Sequence, residues 1–151
     1  MDSTVQEYYE LVRQFCALVE ELVISRERVE ELMSLLLQLY EKALHLPNTD
    51  PDDTDIGTNE EMTVLPLKVQ IRNFYWDVFD PFDDAEEDKL VCGMVFDDLN
   101  DIYRDLMEGV TAYKLGAVNE AVWLWKWGVD NHWGAHAVSL IKALHWYRTA
   151  Y

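Results

Sequence analysis

The sequence predicts an all-α fold, a single-domain helical bundle of about five main helices. Three long stretches repeat apolar residues at the 3.6-residue period of a helix that buries one face. The connection between the first two stretches is short, so those helices are expected to be antiparallel neighbours. A chain of 151 residues that is 50% hydrophobic suits one globular domain, here residues 1–151. No segment requires strand pairing.

The first two helices are predicted over residues 3–24 and, after a break and new N-cap at Ser25, to the neighbourhood of Pro47. Cys16 falls on the first apolar stripe and is expected to be a small buried hydrophobic residue. The first stripe consists of Val5, Tyr8, Tyr9, Val12, Phe15, Cys16, Val19, Leu22 and Val23. The second consists of Val29, Leu32, Met33, Leu36, Tyr40 and Ala43.

Acidic loops are predicted near residues 47–62 and 80–91, where no apolar period continues. The first loop lacks the register of a calcium-binding EF-hand, because Ile56 stands where an acid or Asn is needed before Gly57. Between the loops, Pro66 allows a helix to about Phe79. Alternation around Val69 allows a short extended piece instead, and both alternatives stay open.

Helical periodicity resumes at Gly93 and ends at Gly116, and it returns from Ala117 to about Tyr147. Gly128 and Gly134 lie within this last segment, where they would permit a kink or the close approach of a neighbour. Tryptophans occupy more than one side of the segment, which favours a central buried helix over an exposed aromatic patch that binds a peptide or a second copy. They are Trp123, Trp125, Trp127 and Trp133.

The charge is strongly negative, with 29 acidic and 12 basic side chains and a formal net charge of −17. This field has the wrong sign for nucleic acids and for anionic membrane surfaces, and it favours basic proteins, basic peptides or cations as partners. The polar amino terminus does not resemble a signal peptide, and the apolar runs are too short to span a bilayer. We therefore expect a cytoplasmic protein.

His132 and His136 are four residues apart in "DNHWGAHAVSL" and would share one helix face. That face continues into apolar residues, so both imidazoles are expected to be buried and to need hydrogen-bonding partners. Three interpretations stay open. The pair could be core histidines satisfied by side chains or backbone, metal ligands, or general acid–base groups in a cleft.

Carboxylates that could meet these histidines occur in "FDDLNDIYRDLMEG". On a helical wheel Asp98 and Asp105 lie near the edge of the apolar face, so they are the better candidates to reach another helix. No cofactor is predicted. The alternative is that the histidines and these carboxylates hold zinc or iron, with His132, His136, Asp98 and Asp105 as the ligand set. Otherwise the carboxylates form a solvated or salt-bridged face. The opposite side of the wheel carries Asp97, Asp101 and Glu108.

Four segments together resemble a bacterial family, the domain of unknown function numbered 5063. They are "YWDVFDPF", "DDLNDIYRDLMEG", "EAVWLWKW" and "HWGAHAVSLIKALH". The resemblance implies a small all-helical bacterial protein and brings no activity with it. It places the shared signature at Asp97, Asp98, Asp101, Arg104, Asp105, Trp133, Gly134 and His136.

The absence of a catalytic signature favours a cytosolic protein-interaction domain without catalysis, whose partner would be a protein with a basic surface. The alternative is a metal-binding helical protein, possibly a hydrolase, that uses His132 and His136 with an Asp from the 93–115 helix. A homo-oligomer joined through exposed aromatic residues is a third possibility. The candidate site consists of Asp98, Asp101, Arg104, Asp105, His132, Trp133 and His136.

Overall fold

The computed structural model describes residues 3–52, 64–83 and 90–151. Within these ranges the chain forms five α-helices and two small sheets in one mostly helical domain. The helices are α1 (Ser3–Val19), α2 (Val29–Leu44), α3 (Val95–Lys114), α4 (Val118–Asn131) and α5 (Trp133–Ala150).

The core forms where the apolar faces of the helices meet. α3 packs against α1, α4 and α5, and α2 packs against the same three helices. The Tyr8 hydroxyl, near the beginning of α1, donates to the Leu39 carbonyl near the end of α2 at 3.4 Å, as expected for antiparallel neighbours. Cys16 is buried, as predicted, and burial raises the pKa of its thiol to about 12.

The prediction of a purely helical chain is wrong, because four strands are present. β1 (Val23–Ile24) pairs in parallel with β2 (Lys68–Val69), and β3 (Phe74–Val78) pairs in antiparallel with β4 (Leu90–Met94). The helical alternative for residues 66–79 is therefore wrong and the extended one is confirmed. Local periodicity missed β1 and could not show that it pairs with β2, since the two strands lie far apart in the sequence.

The third helix begins at Val95, not at Gly93, because Gly93 belongs to β4. Its predicted end is confirmed. α3 stops at Lys114, and Gly116 takes a φ of +82°, a left-handed conformation that glycine adopts without a steric cost.

The predicted continuous helix after Ala117 is two helices, which separate at His132 with φ −147° and ψ −80°. Gly134 explains how closely they approach. A Cβ built at this position would lie 1.8 Å from the Val129 carbonyl oxygen, so only glycine lets the first turn of α5 lie against the last turn of α4. The described residues contain five α-helices, as predicted, but the fifth comes from this division and not from residues 66–79.

Both predicted acidic loops lie partly outside the described residues. Of the first, residues 47–52 are irregular, and Asp52 accepts a hydrogen bond from the Glu120 amide at 3.0 Å in the first turn of α4. The prediction that the loop around Gly57 is not an EF-hand calcium site concerns residues 53–63, which lie outside the described part. In the second, residues 84–89 are also outside it, and β4 already begins at Leu90.

The tryptophans divide between core and surface. Trp125 and Trp133 are fully buried, and the Trp133 indole donates to the Trp125 carbonyl at 3.0 Å. Trp127 is half-exposed. In the part of the chain that is described, no helix has both the length and the apolarity needed to cross a membrane.

Candidate functional site

Five polar side chains meet where the beginning of α5 packs against the first half of α3. They are Asp98, Asp101, Asp105, His132 and His136, and we call them the acid–histidine cluster. The α3 carboxylates follow one another at intervals of three and four residues, so they lie one turn apart along the same side of the helix.

Asp98 connects the cluster to the sheet. This buried carboxylate accepts a hydrogen bond from Nδ1 of His136 at 2.9 Å, and its other oxygen accepts from the Tyr75 hydroxyl of β3. A buried carboxylate needs such donors to offset the loss of its water. Asp98 therefore fixes both the position and the ring orientation of His136.

Asp105 does the same for His132, whose Nδ1 lies 2.6 Å from Oδ2 of the carboxylate. The two imidazole rings meet edge to face, with centroids 5.0 Å apart. The wheel-based prediction that Asp98 and Asp105 reach another helix thus agrees with the contacts. Each histidine has its own carboxylate on Nδ1, which leaves Nε2 of the neutral ring with its lone pair.

Asp101 also reaches the cluster, although the helical wheel placed it away from the packing face. Its Oδ2 lies 3.4 Å from Nε2 of His136. The helical wheel gave the wrong position for Asp101 because it assumed that neighbouring helices pack on the centre of the apolar face of α3. The start of α5 instead contacts the side of α3.

The histidines are less buried than their stripe predicted. The side chain of His132 is 46% exposed and that of His136 is 30% exposed, so the expectation of two core imidazoles is wrong. His132 precedes α5 and does not continue the apolar face of α4, because the chain changes direction there. Both rings consequently border solvent, where an ion or a small molecule can reach them.

Electrostatics at the cluster favour positive charge. The hydrogen bond to Asp98 raises the pKa of His136, against the opposing effect of burial, and Asp101 raises it further. Burial raises the pKa of Glu108 on the next turn, and Asp105 adds to this shift. Burial, together with the hydrogen bond to Asp98, also raises the pKa of Tyr75, so its hydroxyl stays protonated and remains a donor.

Three residues of the cluster have the arrangement of metal ligands. One ligand atom from each of Asp101, His132 and His136 lies within 4.8 Å of the others. Two ligands on a tetrahedral zinc ion stand about 3.3 Å apart, since each bond is about 2.0–2.1 Å long. The 3.4 Å between Asp101 and His136 already matches that spacing. The carboxylates of Asp98 and Asp105 are hydrogen-bonded to Nδ1 of the two rings, so Asp101 is the carboxylate of the cluster that remains for an ion.

A cavity of about 710 Å³ adjoins this group, and Asp101 and His136 contribute to its wall. Its opposite side is formed by β3, β4 and residues 79–81. Arg104 lines it too, as the only lysine or arginine among the described residues of the wall. Trp133, the remaining predicted site residue, lies in the core and does not join the polar group.

Sequence reasoning missed two contributors, Tyr75 and Gly93. Gly93 faces Tyr75 across the β3–β4 pair, and a Cβ there would lie 2.2 Å from the tyrosine ring. Glycine at this position therefore leaves the space in which Tyr75 reaches Asp98. No local sequence pattern predicts a role for either residue, because both roles arise from the pairing of β3 with β4, which was not predicted.

Comparisons with known proteins supply a family and no activity. A search of curated proteins and a search of solved structures each find no match. One family model, described as Domain of unknown function (DUF5063), matches residues 1–150 of the chain, including every residue of the acid–histidine cluster. The chain therefore belongs to this family.

Proposed function

We propose that the protein binds one divalent transition-metal ion, zinc or iron(II), through Asp101, His132 and His136. The observation that supports this most is the double carboxylate–imidazole arrangement. Asp98 and Asp105 hold Nδ1 of the two rings, which orients Nε2. A third side chain, Asp101, already lies at ligand spacing from one of these nitrogens.

The donor set is typical of a reactive site more than of a structural one. Two histidines and one carboxylate leave at least one coordination position for water or substrate, as in catalytic zinc sites and in non-haem iron(II) sites. A metal ion there would act as a Lewis acid and acidify a bound water. The adjoining cavity offers room for a substrate, and Arg104 is the one cation beside five aspartates in its described wall. Metal-dependent hydrolysis is the reaction class that we propose.

Zinc titration by calorimetry tests the binding. The untagged wild-type chain should bind one ion, and the His132→Ala/His136→Ala variant should lose more than about 100-fold in affinity. The matched control is His45→Ala/His145→Ala, which removes two exposed histidines outside the cluster and should bind as the wild type does. Equal losses in both double variants, or no saturable binding by the wild type, would overturn the proposal.

Protein binding is a second candidate function, supported by residues 79–83, which follow β3. Phe79 and Phe82 are 91% and 94% exposed, beside Asp80 and Asp83. Exposed aromatic side chains among carboxylates suit a partner with a basic and apolar surface. A synthetic Lys/Leu peptide should bind in a salt-dependent way and lose affinity with Phe79→Ser/Phe82→Ser. Unchanged peptide binding by that variant would exclude this surface.

Two further predictions accompany these proposals. The free thiols Cys16 and Cys92 fit a reducing compartment such as the cytoplasm, which cell fractionation would test. The other prediction is that identical chains associate through exposed aromatic residues. Light scattering would then give a molar mass above that of the monomer.

A further inference from the structure

A second cavity, of about 720 Å³, lies between the β3–β4 hairpin and the last three turns of α5. This volume is in the range of small-molecule sites. Its wall is mainly apolar and includes large aromatic side chains that are half-exposed or more. Those side chains are Phe74, Trp76, Trp146 and Tyr151. The wall does not include the proposed metal ligands, although it shares Tyr75, Asp77, Cys92 and Ser139 with the first cavity.

The charge of this wall is opposite to the charge of the chain. Arg72 and Lys142 line it, and Asp77 is the only acidic side chain among the described residues of the wall. Asp77 is 4.0 Å from Lys142 and also accepts a hydrogen bond from the Val78 amide at 2.8 Å, so it offsets Lys142 only in part. The Arg72 guanidinium lies 5.1 Å from the centre of the Tyr151 ring. A protein with 29 acidic and 12 basic side chains thus places two cations around an aromatic cavity.

We propose that this cavity binds an amphipathic organic anion, with its apolar body against the aromatic wall and its carboxylate or phosphate head at Arg72 and Lys142. Ligand pockets usually combine such an apolar lining with a few polar groups that orient the ligand. A guanidinium presents paired donors that match a carboxylate or phosphate group. A second copy of the chain is a poorer occupant, because two molecules of charge −17 repel each other.

Decanoate and decylammonium provide a direct test, since they share an apolar chain and differ in the sign of the head group. The overall charge of the protein attracts the cation, so a preference for decanoate can arise only from local positive charge. Calorimetry below the micellar concentration should give saturable binding of one decanoate, at least tenfold tighter than decylammonium. Equal binding of both probes, tighter binding of the cation, or no saturable binding would overturn the proposal.

Variants locate the site. Arg72→Gln should weaken decanoate binding about tenfold, and Arg72→Lys, which keeps the charge, should restore most of it. Lys114→Gln removes one positive charge outside the cavity wall and should leave the affinity unchanged. Decanoate binding should also persist in His132→Ala/His136→Ala with EDTA present, which separates this result from the metal proposal. Equal effects of Arg72→Gln and Lys114→Gln would contradict the assigned head-group site.

Discussion

At the scale of single residues, the site depends on how carboxylates hold two imidazoles. Tyr75, Asp98 and His136 form a chain of hydrogen bonds from the sheet to α5, and Asp105 holds His132 separately. Such outer partners set the ring orientation and the basicity of metal-binding histidines. Under the metal proposal, these partners should therefore change metal affinity without touching the ion.

Removing the charge of an outer partner should weaken the site without abolishing it. We expect Asp98→Asn and Asp105→Asn each to reduce zinc affinity by about 10–100-fold, because the rings lose a charged acceptor at Nδ1. Asp101→Asn should cost more, since it changes a ligand. Asp97→Asn, on an exposed position of the same helix, is the control in the same calorimetric series. Equal effects at Asp97 and Asp98 would contradict the assigned roles.

Gly93 is expected to act through Tyr75. Gly93→Ala places a methyl group where the tyrosine ring lies, so the ring must move away from Asp98. Its effect on zinc affinity should resemble that of Tyr75→Phe, and the double variant should be no worse than either single one. Additive losses would show that Gly93 matters for another reason, such as the strand itself.

At the scale of elements, the division between α4 and α5 positions the histidines. His132 precedes α5, and His136 lies in its first turns, so the approach of the two helices decides where both imidazoles point. The lack of a side chain at Gly134, beside the Val129 carbonyl, permits that approach.

Gly134→Ala should destabilise the protein by about 1–3 kcal/mol, because the added methyl group meets backbone that cannot rotate away. Urea unfolding followed by circular dichroism measures this. Ala135→Ser, on the exposed neighbouring position, should change stability by less than about 0.5 kcal/mol. A Gly134→Ala protein as stable as the wild type would show that the helices can separate at little cost.

The elements also show what sequence could predict. The stripes of α1, α2 and α3 are long and regular, so periodicity identified these helices, and the helical wheel identified Asp98 and Asp105. The strands are short and paired over long sequence distances, so local alternation indicated an extended piece around Val69 but no strand partners. Gly128 and Gly134 permit a kink in this segment, but the sequence did not show two separate helices, because helical patterns continue on both sides of His132. The helical wheel also placed Asp101 away from the packing face. Its contact with His136 depends on how α5 crosses α3, which the sequence of α3 does not show.

At the scale of the whole molecule, a net charge of −17 acts against compaction. Carboxylates repel one another most at low ionic strength, when screening extends over long distances. Raising sodium chloride from about 20 to about 200 mM shortens the Debye length roughly threefold, so Tm should rise in differential scanning calorimetry. A Tm that falls over this range would mean that attractive ion pairs outweigh the repulsion.

The central claim is that one metal ion joins α3 to α5 through Asp101, His132 and His136. Anomalous diffraction at the zinc edge from zinc-soaked crystals tests it most directly. We expect one peak, about 2.0–2.1 Å from Nε2 of both histidines and about 2.0–2.2 Å from the Asp101 carboxylate, with Asp98 and Asp105 still on the Nδ1 atoms. A peak at other side chains, or none at full zinc saturation, would contradict the claim.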